Sequence, residues 1–228
     1  MSFGVVIPAA GQGKRMNTRI NKQYLILNDR PVLAHTIDLF FHHPEIAQLV
    51  VVVREDEMDY CRQKIIDKYF NSSVKLVAGG KTRRQSVFAG LKAFSPAIDY
   101  VIIHDGSRPL LPRNLIDETI EAVVEHRAIT MGVNLKDTIK KTDDQGFVLE
   151  TPLRSELVSI QTPQAFAYKI IMQAHREVPE NIMVTDDASL VEHLGLPVKV
   201  IRGSYENIKI TTPMDLVIAE TILKKRRC

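Results

Sequence analysis

The stretch VVIPAAGQGKRM, residues 5–16, joins a short apolar run to a loop with two glycines and two adjacent cations. The loop is not a Walker loop, because Pro8 stands where the first glycine belongs and Arg15 follows Lys14 where Ser or Thr is needed. It is not the dinucleotide fingerprint either, because Met16 replaces the third glycine. What remains is a strand that leads into a cationic glycine loop. Such a loop either cradles a triphosphate or is an ordinary turn between a strand and a helix.

Outward from this stretch, apolar runs alternate with helical patterns. The sequence predicts strands at FGVVIP, LVVVV, VKLVAG, YVIIHD and VKVIRG. Helical spacing is found in PVLAHTIDLFFHH, EDEMDYCRQKIIDKYF, TRRQSVFAGLKAF, PRNLIDETIEAVVEHR and TDDASLVEHL, and in a last segment from Pro213. The strands are almost wholly apolar, which is typical of parallel strands covered on both faces. We therefore predict an α/β fold, with a doubly wound and mostly parallel sheet, as a single domain over residues 1–228.

The segment DTIKKTDDQGFVLET interrupts this alternation. Polar and apolar residues alternate on both sides of the turn-like tetrad DDQG, residues 143–146. This pattern predicts a β-hairpin within residues 136–155, with Lys140 and Lys141 exposed. An isolated hairpin is at best marginally stable in water and must pack against something else. We therefore expect this excursion to be an arm that binds a second subunit, so that the protein is a homodimer.

The composition is that of a soluble globular enzyme, with 45% hydrophobic and 25% charged residues among 228. The net charge of +3 is small and dispersed, which favours small anionic substrates over nucleic acid. Cys61 and Cys228 form no C-x-x-C pair, which fits free thiols in a reducing compartment. No apolar run is long enough for a membrane helix. We expect a cytoplasmic protein that binds neither a membrane nor nucleic acid.

Polar residues follow the predicted strands, where ligands collect in open α/β sheets. They occupy residues 9–15, 79–86 and 104–109, and Lys209 lies near a further strand. These positions offer cations, the carboxylate of Asp105 and backbone donors, with no Ser-His-Asp or Cys-His arrangement. This set suits phosphoryl or nucleotidyl transfer, in which positioning and charge neutralisation dominate catalysis. A phosphate nucleophile is already ionised near neutral pH, since its second pKa is about 6, and needs no general base.

Each of these residues also has a purely structural interpretation. Asp105 either contacts a metal or substrate or caps the following turn. His104 is expected to be a hydrogen-bonded core histidine. Arg83 and Arg84 begin a helix and are compatible with a solvated face. Thr185, Asp186 and Asp187 open the TDDASLVEHL pattern, where they either cap the helix or contact a ligand.

Several motifs in one order resemble the 2-C-methyl-D-erythritol 4-phosphate cytidylyltransferases. They are PAAGQGKRM, NKQY, VAGG followed by RRQSV, HDGSRP, KDTIK, QTPQAF, TDDASLVE and GSYENIKITTP. The resemblance spans nearly the whole chain. It implies a Rossmann-like nucleotidyltransferase fold and an enzyme that joins CTP to the phosphate of a methylated polyol, releasing pyrophosphate, in the non-mevalonate route to isoprenoids. It also implies Mg²⁺, held mainly by the CTP phosphates, and a homodimer whose arm reaches into the partner's site.

The resemblance also implies roles for individual residues. The implied nucleotide-binding residues are Ala9, Ala10, Gly11, Gly13, Lys14, Gly80, Ser86 and Asp105. The loop from Ala9 to Gly13 would surround the CTP phosphates, and Gly80 and Ser86 would lie against the cytosine. The implied catalytic set is Arg15 and Lys22, which neutralise charge on the α-phosphate and pyrophosphate, with Lys209 and Arg154, which position the polyol phosphate. The implied substrate-binding set is Arg108, Thr138, Thr162 and Thr185. Thr138 and Arg154 are expected to act in the partner's site, and Asp105 is the candidate metal ligand.

Two positions depart from the family pattern, namely Ser107 where alanine is common and Lys81 where an acidic residue is common. The nearest alternative is a ribitol-5-phosphate cytidylyltransferase, which shares motifs such as QTPQ and KITT. VIPAAGQGKRM and TDDASLVE favour the methylerythritol family. A non-catalytic nucleotide-binding regulatory module and a structural subunit are further alternatives, and the retained cations argue against the module.

Overall fold

The computed structural model describes residues 1–11, 21–70, 73–95 and 98–227. The strands are β1 (Phe3–Pro8), β2 (Ile26–Leu27), β3 (Arg30–Pro31), β4 (Ile46–Val53), β5 (Val74–Ala78), β6 (Tyr100–Ile103), β7 (Ala128–Asn134), β8 (Lys141–Thr142), β9 (Val148–Glu150), β10 (Val158–Ala167) and β11 (Lys199–Arg202). The α-helices are α1 (Val32–Phe41), α2 (Met58–Cys61), α3 (Asp67–Tyr69), α4 (Arg83–Lys92), α5 (Asn114–His126), α6 (Tyr168–Glu177), α7 (Ala188–His193) and α8 (Pro213–Arg227). Among these described ranges, no helix is both long and apolar enough to cross a membrane.

Seven of the described strands form one sheet in the order β11-β7-β10-β6-β1-β4-β5. Neighbours pair in parallel, except that β10 runs antiparallel to both β6 and β7. The strand order reverses beside β1, as expected of a doubly wound sheet. The predicted α/β fold class with a mostly parallel sheet is confirmed.

Side chains of the central strands alternate between two cores, one on each face of the sheet. Val5 and Ile7 of β1 belong to one cluster and Val6 to the other, and all three are fully buried. In β4, Val51 and Val52 divide in the same way. Successive residues of a strand point to opposite faces, so strands covered on both faces must be apolar throughout. Burying each such valine stabilises the fold by about 1.5–3 kcal/mol, an upper estimate.

Helix α4 lies close against the sheet directly after the glycine turn that follows β5. Thr82 caps it, because the Thr82 hydroxyl accepts a hydrogen bond from the Gln85 amide at 3.1 Å. A Cβ on Gly90 would lie 2.6 Å from a methyl group of Val6, so only glycine permits this approach. The cap fixes the beginning of α4 next to the glycine turn, and the close approach at Gly90 holds the end of the helix against β1.

Three parts of the fold differ from the sequence prediction. Strands β2, β3, β7 and β10 and helix α6 were not predicted. The pattern predicted as one helix after β4 is divided into a 3₁₀ turn (Glu55–Glu57), α2, a π-helical turn (Arg62–Ile66) and α3. Helix α7 begins at Ala188 rather than at the start of the TDD segment, and Asp186 of that segment accepts a hydrogen bond from the Ser189 amide at 3.0 Å, in line with the capping interpretation.

The predicted hairpin is present as β8 and β9. Asp143 shapes its turn by accepting hydrogen bonds from the amides of Gln145 and Phe147 at 3.0 and 2.9 Å. Gly146 has φ +88°, a left-handed conformation that glycine adopts without strain. Lys140 and Lys141 are exposed, as predicted. Large apolar side chains are also exposed along this arm, namely Ile139, Phe147, Val148, Leu149 and Leu153.

Candidate functional site

The carboxyl ends of β1, β4, β5 and β6 surround a cleft of about 770 Å³. This volume lies in the range of small-molecule sites. The described residues that line it are Pro8, Ala9, Ala10, Gly11, Lys22, Gln23, Arg54, Glu55, Asp56, Gly79, Gly80, Lys81, Thr82, Arg83, Ser86, Asp105, Gly106, Ser107 and Lys209. Five of these are Lys or Arg and three are Asp or Glu, so their charge favours an anionic ligand.

Asp105 lies at the centre of the charged groups. Lys209 Nζ is 2.7 Å from Asp105 Oδ2, and Arg108 Nε is 3.8 Å from the same oxygen. Arg83 Nε and Nη2 both lie 3.4 Å from Asp105 Oδ1. Burial by itself raises the pKa of Asp105, but Arg83 and Lys209 outweigh burial and lower the pKa well below its usual range. Asp105 is therefore a carboxylate at any physiological pH.

Arg83 joins Asp105 to a second buried carboxylate. Its Nη2 donates to Asp187 Oδ2 at 2.7 Å, and Asp187 is only 1% exposed. Burial raises the pKa of Asp187, and the Arg83 charge partly opposes that rise. The two carboxylates in turn raise the pKa of Arg83 although burial lowers it. The interpretation of Arg83 as part of a solvated face is wrong, because its guanidinium bridges two buried acids.

Arg84 is not part of a solvated face either. Its guanidinium donates to the backbone carbonyls of Pro179 at 2.8 Å, of His175 at 3.3 Å and of Val178. These carbonyls lie at the end of α6 and in the segment after it. Arg84 thus ties the first turn of α4 to the end of α6, which is a structural role.

His104 belongs to a chain of buried hydrogen bonds behind Asp105. The Asp105 amide donates to Thr162 Oγ1 at 3.0 Å, and Thr162 Oγ1 lies 3.3 Å from His104 Nδ1. His104 Nε2 lies 2.9 Å from the Arg108 carbonyl, which only accepts, so Nε2 carries the proton and Nδ1 accepts from Thr162. Burial lowers the pKa of His104 to about 4. His104 is a neutral core histidine, as the sequence predicts.

The glycine turn after β5 is held by Ser86. The Gly80 amide donates to Ser86 Oγ at 3.2 Å, and Ser86 Oγ donates to the Thr82 carbonyl at 2.9 Å. The Lys81 amide donates to Gln85 Oε1 at 2.9 Å. These bonds fix the conformation of the turn, whose residues Gly79, Gly80 and Lys81 line the cleft, and Lys81 takes part through its backbone amide.

Lys22 lies on a 3₁₀ turn (Lys22–Tyr24) and lines the cleft. Gln23 Nε2 donates to the Ala9 carbonyl at 2.8 Å, which joins this turn to the loop after β1. Tyr24 is buried beside Cys61, and burial raises the pKa of the Cys61 thiol to about 12. Cys61 is therefore protonated and inaccessible, and we assign it no reactive role.

The structure brings most of the predicted site residues together. Those that line the cleft are Ala9, Ala10, Gly11, Lys22, Gly80, Ser86, Asp105 and Lys209, and Arg108 and Thr162 contact Asp105 from behind. Thr138 and Arg154 lie exposed by the arm and Thr185 lies exposed before α7, and none of these three lines the cleft. Gly13, Lys14 and Arg15 lie outside the described residues. Sequence reasoning did not select Arg83 or Gln23, although the RRQ and NKQ strings mark polar residues at the correct edge.

The described donors fit a metal ion that is held mainly by a ligand's phosphates. Among the described residues, no three His, Cys, Asp or Glu side chains are grouped as a metal cage. Within the described part of the chain, Asp105 Oδ1 has two contacts, both long and both to Arg83, so it retains acceptor capacity toward the cleft. Mg²⁺ commonly takes one or two carboxylates, substrate phosphates and waters. Asp105 is therefore a suitable single protein ligand for Mg²⁺.

A doubly wound α/β sheet with glycine turns and cations at its carboxyl edge belongs to the class of nucleotide-binding proteins. Within this class, residues 3–225 match the model of the IspD family, 2-C-methyl-D-erythritol 4-phosphate cytidylyltransferase. The chain belongs to this family and is a nucleotidyltransferase enzyme. The comparisons do not favour the ribitol phosphate enzyme or the regulatory module.

Relatives and solved structures agree over almost the full length. The 2-C-methyl-D-erythritol 4-phosphate cytidylyltransferase of Syntrophotalea carbinolica is 51% identical over 226 residues, which are 98% of this chain and 97% of that protein. The protein of the same name from Desulforamulus reducens is 47% identical over 225 residues, or 98% of this chain and 96% of its own. The crystal structure of 4-diphosphocytidyl-2C-methyl-D-erythritol synthase from Anaerococcus prevotii gives a TM-score of 0.86 at 37% identity, covering 98% of this chain and 96% of that one.

Proposed function

We propose that this enzyme transfers the cytidylyl group of CTP to 2-C-methyl-D-erythritol 4-phosphate, giving 4-diphosphocytidyl-2-C-methyl-D-erythritol and pyrophosphate. The observation that carries the proposal is the convergence of Lys22, Lys209, Arg83 and Asp105 on one cleft between two glycine turns. The family supplies the identity of the two substrates. The cleft supplies the charges and backbone donors that a triphosphate and a second phosphate require.

The nucleotide would lie between the loop after β1 and the glycine turn after β5. Ala9, Ala10 and Gly11 line the cleft at the end of β1. The Ala9 amide donates to the Val52 carbonyl at 2.7 Å, so the amides of Ala10 and Gly11 would be the ones that bind phosphate oxygens. Gly80 and Ser86 also line the cleft and are held in place by their mutual hydrogen bond. Backbone groups of this turn would read the edge of cytosine. Gly13, Lys14 and Arg15 continue the first loop and keep their predicted phosphate-binding roles.

The reaction would be an in-line displacement. An oxygen of the methylerythritol phosphate forms a bond to the α-phosphorus of CTP, and the bond from that phosphorus to the bridging oxygen of pyrophosphate breaks. Lys22, with Arg15, would neutralise the charge that builds on the α-phosphate and on pyrophosphate. Lys209, held by Asp105 at 2.7 Å, would position the attacking phosphate. Positioning and charge neutralisation of this kind account for most of the catalysis in phosphoryl transfer.

The chain does not need to supply a general base, because the attacking phosphate is already ionised. His104, the histidine nearest to Asp105 in sequence, is neutral, and both of its ring nitrogens are engaged in the hydrogen-bond chain. Arg108 and Thr162 would act near the polyol, and Thr185 would approach it only by a movement of the segment before α7. Asp105 would be the protein ligand of a Mg²⁺ ion bound to the triphosphate, and that ion would supply further charge neutralisation.

The protein would act as a homodimer through the β8-β9 arm. The exposed apolar side chains of the arm, including Phe147 at 68% and Leu153 at 65%, support this arrangement. Apolar surface of this kind is costly in water unless a partner covers it. Thr138 and Arg154, at the base of the arm, would then contact the polyol phosphate in the partner's cleft. We also propose that the enzyme works in the cytoplasm, which is consistent with the unpaired thiol of Cys61.

The test is pyrophosphate release with CTP and Mg²⁺, with methylerythritol 4-phosphate and ribitol 5-phosphate offered in parallel. We expect turnover with methylerythritol 4-phosphate and at least about a hundredfold lower kcat/KM with ribitol 5-phosphate, because a site built around one polyol leaves polar groups unpaired on the other. Preference for ribitol phosphate would overturn the substrate assignment. CTP binding without turnover on either polyol would overturn the catalytic proposal.

A further inference from the structure

Glu57 accepts hydrogen bonds from side chains that precede and follow Lys22 in the chain. We infer that Glu57 is a positioning residue for Lys22, which it holds toward the cleft through the neighbours of Lys22 in the chain. The inference rests on the proposed role of Lys22 as the cation that neutralises charge at the reacting phosphates. Neither the motifs of the sequence nor the residues expected at the site include Glu57.

The turn that carries Lys22 is too short to hold its own conformation. It is one 3₁₀ turn, Lys22–Tyr24, closed by hydrogen bonds from the Tyr24 amide to the Asn21 carbonyl at 2.9 Å and from the Leu25 amide to the Lys22 carbonyl at 3.3 Å. Isolated 3₁₀ turns have poor hydrogen-bond geometry and little intrinsic stability. The position of Lys22 therefore depends on contacts made by the residues around it.

Those contacts converge on one carboxylate. Glu57 Oε1 accepts a hydrogen bond from Asn21 Nδ2, and Glu57 Oε2 accepts from Gln23 Nε2 at 3.3 Å and from the Tyr24 hydroxyl at 3.2 Å. The three donors are the residue before Lys22 and the two residues after it. A carboxylate has two oxygens and only accepts, so it satisfies three donors at once. No other side-chain type of this length has that capacity.

Gln23 also connects this turn to the loop after β1. Its amide nitrogen donates to Glu57 and, with its other hydrogen, to the Ala9 carbonyl at 2.8 Å. Gln23 is only 2% exposed, so the loss of one of these bonds leaves a buried donor unsatisfied. The same side chain thus fixes the turn of Lys22 relative to the loop after β1. Glu57, on the 3₁₀ turn after β4, completes this link by holding the Gln23 side chain.

Glu57 acts at a distance from the reacting atoms. It is half-buried and is absent from the residues that line the cleft, whereas Lys22 lines it. A residue of this kind changes the rate only through the group that it positions. Its removal should therefore lower kcat in an enzyme that has Lys22 and leave kcat unchanged in an enzyme that lacks it.

The experiment is a double-mutant cycle of Lys22→Ala and Glu57→Ala, with kcat and the KM for CTP measured for each variant. We expect Lys22→Ala to lower kcat about a hundredfold, like the loss of one oxyanion donor. We expect Glu57→Ala to lower kcat about tenfold, because a loosely held catalytic group loses much of its effect. In the Lys22→Ala background, Glu57→Ala should change kcat by less than about twofold.

Two further variants and a chemical measurement on Lys22 distinguish a positioning role of Glu57 from a general effect of its charge. Asp59→Asn removes the same charge from the same segment at an exposed residue and should leave kcat unchanged. Glu57→Gln keeps one acceptor oxygen and should lose about threefold, between the wild type and Glu57→Ala. Acylation of the Lys22 amine, followed by mass spectrometry, should show strong protection by saturating CTP in the wild type and weaker protection in Glu57→Ala.

The outcomes separate the inference from the proposed function. An unchanged kcat in Lys22→Ala would overturn the proposed role of Lys22, whatever Glu57 does. A fall of kcat in Lys22→Ala, combined with an equal effect of Glu57→Ala in both backgrounds, would overturn the positioning role and make Glu57 a structural residue. Full CTP protection of Lys22 in a folded Glu57→Ala enzyme would overturn it as well.

Discussion

Lys209 Nζ lies 2.7 Å from Asp105 Oδ2, within a cluster where Asp105 also faces Arg83 and Arg108. The chain thus holds one buried carboxylate against three cations at the carboxyl edge of the sheet, where ligands collect in open α/β folds. The carboxylate orients the cations, and it also offsets part of the repulsion among them before a phosphate arrives. This arrangement makes distinct predictions for the carboxylate and for the lysine.

Lys209→Met should lose about a hundredfold in kcat/KM for the polyol phosphate with little change in melting temperature, because the Lys209 side chain is 38% exposed. Asp105→Asn should lose activity and also about 2 kcal/mol of stability, because it leaves three cations without their shared partner. Steady-state kinetics and denaturant unfolding measure the two effects. Glu121→Gln, an exposed change on α5, is the control. Equal stability losses in Lys209→Met and Asp105→Asn would contradict this account of the cluster.

The pKa of Asp105 sets the expected pH dependence. Its folded pKa lies below the unfolded value of about 3.9, so its contribution to stability is present above that value and is lost only as pH falls through the folded pKa. Between pH 5 and 8 the wild-type enzyme should therefore show no titration of Asp105 in kcat/KM. A limb in the wild-type profile that disappears in Asp105→Asn would contradict the lowered pKa.

Arg83→Met should destabilise the protein by about 3 kcal/mol at pH 7, because Asp187 is then buried without its partner. The folded pKa of Asp187 is already raised by burial and would rise further, so the stability of Arg83→Met should increase as pH falls from 7 toward 5. The double variant Arg83→Met with Asp187→Leu should recover most of the loss. Urea unfolding at several pH values measures both effects, and a double variant no more stable than Arg83→Met would count against a buried ion pair.

His175 should make the fold sensitive to acid. Its ring stacks on Phe88 at 5.2 Å, and neither ring nitrogen has a hydrogen-bond partner among the described residues. Burial, with smaller contributions from Arg84 and Arg83, lowers its pKa from about 6.5 to about 4. The unfolded chain therefore binds a proton that the folded chain does not, and stability falls as pH drops from about 6.5 to about 4.

His175→Phe keeps the stacked ring and removes this titration. We expect its stability to exceed that of the wild type by about 2 kcal/mol near pH 4.5, with the difference shrinking above pH 7. His104 titrates alike in both proteins and cancels in the comparison. Denaturant unfolding at pH 4.5 and 7.5 measures the difference, and a constant difference between these two pH values would show that His175 has no unusual pKa.

Two inactive variants should restore activity when mixed if the arm completes the partner's site. Lys209→Met disables the cleft, and Arg154→Ala disables the proposed contribution of the arm. Random exchange of subunits places one intact site in each mixed dimer, so about a quarter of the wild-type activity should return. Two portions of Arg154→Ala, mixed in the same way, are the control. A mixture that stays inactive after demonstrated subunit exchange would place Arg154 and Lys209 in the same subunit's site.

Much of the sheet could be predicted from the sequence, because the strands covered on both faces are continuous apolar runs. Strand β10 was missed for a physical reason. The Thr162-Pro163 pair interrupts its pattern, and its register with β7 shifts between Gln161 and Gln164. Proline within a strand normally argues against that assignment. The antiparallel strand that carries Thr162 to Asp105 therefore has no simple signature.

The site residues that come directly after the ends of the strands could be predicted from the sequence. Asp105, Gly80 and Lys209 were found by this rule, and the cleft contains all three. Arg83 was misjudged because a cation at a helix start gives no sign of a partner 104 residues away. Glu57 was missed because its contacts span 33 to 36 residues and follow no local periodicity. Side-chain networks of this kind depend on the tertiary fold.

The central claim is that cations at this cleft, without a general base, drive cytidylyl transfer. The most direct measurement is kcat and CTP affinity for the wild type, Lys22→Ala and Arg15→Ala, each with methylerythritol 4-phosphate and Mg²⁺, alongside Lys199→Ala on the edge strand β11. We predict that Lys22→Ala and Arg15→Ala each lose about a hundredfold in kcat while their melting temperatures stay unchanged. Lys199→Ala should keep the wild-type kcat. Loss of kcat in step with loss of melting temperature, or full turnover without Lys22, would contradict the central claim.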